Sequence, residues 1–156
     1  MYKEMRRKEK AISKNEIEEV MSNAEYGILS TISEDGTPYG TPLNFAYTDD
    51  VIYFHSATEG HKIDNIRHGS SACFNVVDAV LLMPADFNTQ YRSVTVFGRI
   101  SIVDNDEEKR KGISAIADKL SPDFHKEGLE YIQRAFNDMH VLKLEVEHIT
   151  GKATRG

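Results

Sequence analysis

The sequence predicts a mainly β fold with flanking helices, its six antiparallel strands closed into a barrel, and three features carry that prediction. Runs of β-forming residues recur from Tyr26 to Val146. Several are joined by connections too short for the crossover that parallel strands need. The last run sets Leu142, Leu144 and Val146 against Lys143, Glu145 and Glu147 in strict period two, the pattern of a half-buried strand. An open sheet of six such strands would expose its edges, and closure removes them; a parallel doubly wound sheet fits worse.

The elements follow in order. Ser13-x-x-Glu16 has the spacing of a reciprocal capping box, and Ile17, Val20 and Met21 continue at helical spacing. A strand over Tyr26–Ile32 runs into Glu34-Asp35-Gly36, a turn in which glycine accepts a positive φ. A second strand over Tyr39–Tyr47 is interrupted by Thr48-Asp49-Asp50, and Val51–His55 restores dense β propensity, giving a three-strand meander. The small polar stretch Ser56–Gly60 leads into a short helix with Ile63 and Ile66 on one face, ended at Gly69. Strands over Ala72–Val77 and Ser93–Val103 come next, joined by a surface loop containing Pro84. Asp104 to Asp106 supply acidic caps for a helix through Lys119, stopped by Ser121-Pro122, and a further helix covers Gly128–Phe136. No repeat or linker-like shift divides the chain, so residues 1–156 are read as one domain with a core over about 13–150.

Composition narrows the function classes. A length of 156 residues, 40% hydrophobic and 28% charged, is that of a globular chain. A net charge of −6 argues against a broad nucleic-acid surface, which needs clustered Lys and Arg. The basic start from Lys3 to Lys10 is broken by Glu4 and Glu9 and precedes no apolar run, so neither leader nor membrane anchor is expected and the address is cytoplasmic. Cys73 lies in an apolar stretch and reads as a buried, inert thiol. His55, His61 and His68 fall close together, but their intervals match no common ligand spacing and no metal site is expected. His125, His140 and His148 read as surface or strand-exposed residues. A Ser/His/Asp hydrolase lacks its Gly-x-Ser-x-Gly elbow.

Chemistry concentrates in three segments. Between Tyr53 and Ile66 the chain leaves a strand, crosses a loop and enters a helix. Ser56, the amides of Gly60 and His61, and the Lys62 ammonium could converge there on one phosphate-sized anion. The same residues also fit an ordinary loop serine and a solvated first-turn lysine. Gln90–Gly98 carries polar residues at the mouth of an apolar strand, where they could bond a flat heterocycle or simply be solvated. Thr41–Phe45 holds Pro42, which donates no ladder hydrogen bond and so suggests an edge or bulge with backbone free for a ligand.

Gly-x-Pro-Tyr-Gly-x-Pro-Leu-Asn at Gly36–Asn44, Tyr-Phe-His-Ser running to Gly-His-Lys-Ile-Asp at Tyr53–Asp64, and Tyr-Arg-Ser-Val-x-Val-Phe-Gly at Tyr91–Gly98, with Met5-Arg6-Arg7-Lys8 before them, resemble the pyridoxamine-phosphate-oxidase-like flavoproteins, nearest their 5-nitroimidazole-reductase branch. The likeness spans about Met5 to Ile149. It implies a six-stranded antiparallel split β-barrel, paired as a homodimer with flavin mononucleotide (FMN) at the interface. By position, His55, Ser56, His61 and Lys62 would hold the phosphate and ribityl chain. Pro42, Leu43 and Asn44 would line the isoalloxazine, and Tyr91, Arg92 and Ser93 would complete the site, partly from the other subunit.

Two departures bear on this. The chain has no tryptophan and ends Glu147-His148-Ile149-Thr150-Gly151-Lys152 before its last residues, unlike the C-terminal substrate motif of true pyridoxamine-phosphate oxidases. His61 stands where the wider pattern often has arginine, which ties any phosphate contact to pH. The expected function is an FMN-dependent oxidoreductase passing electrons from a reduced nicotinamide to a small planar acceptor such as a nitroaromatic. His61, then His55, are the candidate proton donors. The alternative is a non-catalytic flavin-binding or sensor protein.

Overall fold

A computed structural model describes residues 1–155. Helix α1 (Lys14–Asn23) is followed by β1 (Tyr26–Ile32), β2 (Pro38–Asn44), β3 (Ala46–Thr48) and β4 (Val51–Ser56), then by helix α2 (His61–His68). Strands β5 (Ser71–Met83) and β6 (Asn88–Ile102) form a long hairpin. Helices α3 (Asp106–Leu120) and α4 (His125–Ala135) separate it from the closing strand β7 (His140–Thr154).

The strands form one antiparallel sheet in the order β2-β1-β5-β6-β7-β4-β3, with β2 and β3 at its ends. The fold is the split barrel, its seventh strand arising where the expected second one breaks at Phe45. Phe45 turns wholly into the core, its ring edge-on to Phe74 at 4.9 Å, and the chain changes direction there. Gly98 makes the other corner. A Cβ at that position would be driven into the Glu145 carbonyl oxygen, and the β6/β7 register shifts beside it.

Alternation along the strands builds two apolar clusters. Inside the barrel, Leu29, Phe54, Phe74, Val94, Val96, Leu142 and Leu144 pack with Val20 and Met21 of α1 and Ile63 and Ile66 of α2. Outside it, Tyr53 and Val141 pack with Ile113 and Ile116 of α3 and Ile132 of α4. β4 and β7 are thus covered on both faces, which explains why β4 reads as a continuous apolar run.

Several expectations are corrected. Ser13 caps α1 by accepting from the Glu16 amide at 3.2 Å, but the Glu16 carboxylate bonds Arg155 instead of reaching back. Asn105, by the same type of contact with Glu108, caps α3. The loop expected around Pro84 is only a tight turn, because β5 and β6 stay paired from Ser71/Arg99 out to Met83/Asn88 across an irregularity at Asp78–Leu81. Cys73 is half-buried outside the core cluster, with burial pushing its thiol pKa up. His140 and His148 are partly buried, not strand-exposed, and each has a buried Nε2 with no hydrogen-bond partner among the described residues.

Candidate functional site at the start of helix α2

The loop after β4 and the first turn of α2 bring together the residues best suited to an anion. Gly60 caps the helix at φ +134°, a conformation glycine adopts freely, and a Cβ there would meet nothing within 4 Å. First-turn amides lack acceptors within the helix, so they and the positive end of its dipole face the open loop. Ser56 is buried at the end of β4 and donates its hydroxyl to the Ala57 carbonyl at 2.6 Å. Lys62 is partly buried, and none of the ion pairs among the described residues uses it.

His61 is exposed but held. Its Nε2 is hydrogen-bonded to the Ser33 hydroxyl at 2.8 Å, and its ring stacks on Tyr39 of β2 with centroids 4.0 Å apart. Neither Ser33 nor Tyr39 stands out in the sequence as a partner. Their signal is only that the turn at Gly36 returns β2 alongside β1, opposite the start of α2. Deeper in, Asn65 of α2 donates to the Thr31 hydroxyl of β1 at 3.0 Å, both side chains buried, which fixes the helix on the sheet.

His55 precedes Ser56 but points to the opposite face of β4. There it lines a groove of about 390 Å³ between α3 and α4, with Ile113, Ile116, Leu120, Phe124 and Tyr131. Burial, with the Lys62 charge second, holds its pKa below the ordinary histidine range. His55 therefore stands between an apolar groove and a cationic loop.

The other expected residues lie elsewhere in the single chain. Pro42, Leu43 and Asn44 sit on the terminal strand β2, and the Asn44 amide is already spent on the Glu25 carbonyl at 2.8 Å. Arg92 is enclosed by carboxylates: Asp78 grips it through both oxygens at 2.9 and 2.7 Å, Glu19 lies at 3.0 Å and Glu16 at 3.6 Å. Ser93 is buried on the outer face of β6, beside a cavity of about 190 Å³ roofed by Lys3 and Met5. Tyr91 faces the Lys152 ammonium at 5.9 Å. No metal cluster occurs among the described residues. No helix among them is long and apolar enough to cross a membrane.

Comparison with known proteins gives this arrangement its context. The structure is similar to that of a candidate 5-nitroimidazole antibiotic resistance protein of Bacteroides thetaiotaomicron, with a TM-score of 0.79, 26% identity, and coverage of 92% of this chain and 86% of that one. A flavocytochrome of Azotobacter vinelandii shares the fold at a TM-score of 0.77 and 19% identity, covering 98% of this chain and 73% of that one. So does a heme storage protein of Vibrio cholerae, at 0.67 and 16%, covering 89% and 94%. No curated protein matches the sequence closely. The sequence profile of the pyridoxamine 5′-phosphate oxidases matches residues 13–153, and the chain belongs to that family.

Proposed function

We propose that the chain binds FMN with its phosphate at the start of α2 and passes electrons from a reduced nicotinamide to a small planar acceptor such as a nitroaromatic. One observation carries this reading: Lys62, a partly buried cation without a carboxylate partner among the described residues, stands beside open first-turn amides in a loop that Gly60 keeps free of side chain. A phosphate monoester fits that donor set, since it offers the charge Lys62 lacks and acceptors for the amides. When bound, the isoalloxazine supplies the two-electron chemistry. Tyr39 and Ser33 keep the His61 ring in one orientation, so a proton at its free edge has a fixed direction. His55, held neutral, offers a hydrogen bond to an acceptor seated in the apolar groove without repelling it.

The reading includes a second copy of the chain. The outer sheet face exposes Ile28 and Val77, while the hairpin tip holds Leu82 at 69% and Phe87 at 97% exposure. An isologous dimer over this face would cover them and bring Tyr91 and Ser93 of one copy toward the nucleotide of the other.

The test is titration of the purified chain with FMN and with riboflavin, followed by addition of NADH and a nitroaromatic. Support consists of a yellow complex in which FMN binds more tightly than riboflavin, and turnover of the acceptor. Equal affinity for the two flavins overturns the phosphate assignment, and reduction without turnover leaves a flavin carrier in place of an oxidoreductase. Sedimentation at micromolar concentration should give twice the chain mass; a monomer removes the interface.

A further inference from the structure

The outer face of β6 and β7 carries three cross-strand pairs in succession: Ser93 opposite Lys152, Thr95 opposite Thr150, and Phe97 opposite His148. Side chains alternate along a strand, so these six stand on one face while Val94 and Val96 between them enter the core. Beyond the stretch of β7 that pairs with β4, the N-terminal chain takes the vacant edge. Ala11 bridges to Lys152, and the Ile12 amide donates to the Gly151 carbonyl at 3.1 Å. The residues before Ala11 are thereby turned across the outer face, and Tyr2 fixes their far end. Its ring stacks on Phe97 with centroids 5.1 Å apart and on His148 at 5.4 Å, and its hydroxyl donates to the Glu147 carboxylate. Between this segment and the strands lies a cavity of about 190 Å³, lined by Lys3 and Met5 on one side and by the three pairs on the other.

The register makes the two ends of that cavity chemically different. One end has buried Ser93 and half-buried Lys152, followed by the hydroxyls of Thr95 and Thr150; the other is the aromatic stack of Phe97, His148 and Tyr2. None of the ion pairs among the described residues uses Lys3 or Lys152. Two ammonium groups at one small cavity raise its potential, and a negative group between them relieves their repulsion. At about 30 Å³ for each water-sized group, the space holds roughly six non-hydrogen atoms. We propose that the cavity binds a short-chain monocarboxylate of about four carbons, with its carboxylate between Lys152 and Lys3, Ser93 and Thr150 as hydroxyl donors, and its alkyl tail on Phe97 and Met5. Inorganic phosphate suits the cavity less, because its outer oxygens would press against Phe97 and Met5 without donors. The site is complete within one chain and needs neither FMN nor a second copy, whereas the nucleotide calls on Ser93 only through that copy.

The test is isothermal titration calorimetry of the purified full chain with sodium butyrate, with butyramide, its neutral counterpart of the same shape, and with inorganic phosphate. One butyrate should bind per chain, and butyramide and phosphate should each bind at least about tenfold more weakly. K152M keeps the apolar stem of the lysine and removes its charge. It should weaken butyrate binding by about tenfold, while the unfolding midpoint and the preference for FMN over riboflavin stay as in the wild type. Should K152M fail to fold, K3M, at an exposed lysine, carries the same expectation for butyrate. Equal binding of butyrate and butyramide overturns the proposal, as does phosphate binding more tightly than butyrate. So does an unchanged butyrate affinity in both lysine variants. Butyrate affinity that is the same with and without saturating FMN supports a separate site; displacement of butyrate by FMN overturns it and gives the cavity to the nucleotide.

Discussion

Lys62 and Arg92 are both cations that the sequence offers for binding, and the fold treats them in opposite ways. Arg92 is 18% exposed and meets three carboxylates that arrive from α1 and β5. Lys62 is also partly buried, yet meets none among the described residues. A guanidinium already held by both oxygens of Asp78 has little left to give a ligand; its bonds tie α1 and the hairpin to the barrel. An ammonium without a partner pays for its partial desolvation, and a ligand phosphate removes that cost. Availability, not residue type, separates a structural cation from the one proposed to bind.

The largest effect is expected from Arg92→Met. Removing the guanidinium leaves Asp78 without its counter-charge and should destabilise the chain by about 3 kcal/mol in denaturant unfolding, with FMN affinity per folded molecule changed less than about twofold. A large affinity loss there, with stability intact, would reverse the comparison. Lys62→Gln should do the converse, weakening FMN binding roughly 10- to 100-fold while leaving riboflavin affinity and the unfolding midpoint close to wild type.

A third cation sharpens the contrast. Lys119 lies over the Phe45 ring at 3.6 Å and donates to the Met21 carbonyl at 3.2 Å, near the end of α1. Burial pulls its pKa down to about 8 from 10.5. In the unfolded chain this lysine keeps its proton to the higher value, so between about pH 8 and 10 the unfolded state binds more protons and stability rises with pH. K119M should flatten that rise in thermal melts. Above pH 10 the trend turns, because Tyr47 and Tyr53 hold their protons to about 12 when folded and lose them sooner when unfolded. The smallest expected effect is that of Ser33→Ala, which frees one edge of His61 and should weaken FMN binding by less than about threefold.

Much of this was legible in the sequence, and the rest was hidden for identifiable reasons. The α2 site reads well because Ser56, Gly60, His61 and Lys62 are neighbours in the chain, and a strand, loop and helix in that order fix their geometry. Arg92 misleads because its partners Glu16, Glu19 and Asp78 lie between 14 and 76 residues away; only the fold reveals that they meet. The hairpin reads short because the irregularity at Asp78–Leu81 and the positive φ of Ala79 break the alternation on which strand length is judged. His140 looks like the polar start of a strand, since nothing in the sequence says that β7 lies against β4. The split at Phe45 is invisible for a similar reason: a phenylalanine continues a β run as well as it ends one, and only its burial against Phe74 decides.

The position of β7 also sets an order of events. It lies between β6 and β4 and pairs with both, joining Tyr91 to Thr154 and Val51 to Glu145. Until β7 is made, β4 and β3 form an isolated hairpin with one bare edge, and the barrel exists only as its β2-β1-β5-β6 half. Such late, distant pairing slows folding and leaves apolar strands open to wrong partners in the interval. A nascent chain stalled before His140 would hold the whole α2 loop yet lack the strand that pairs with β4 up to Ser56, so the proposed nucleotide site is incomplete until β7 has formed.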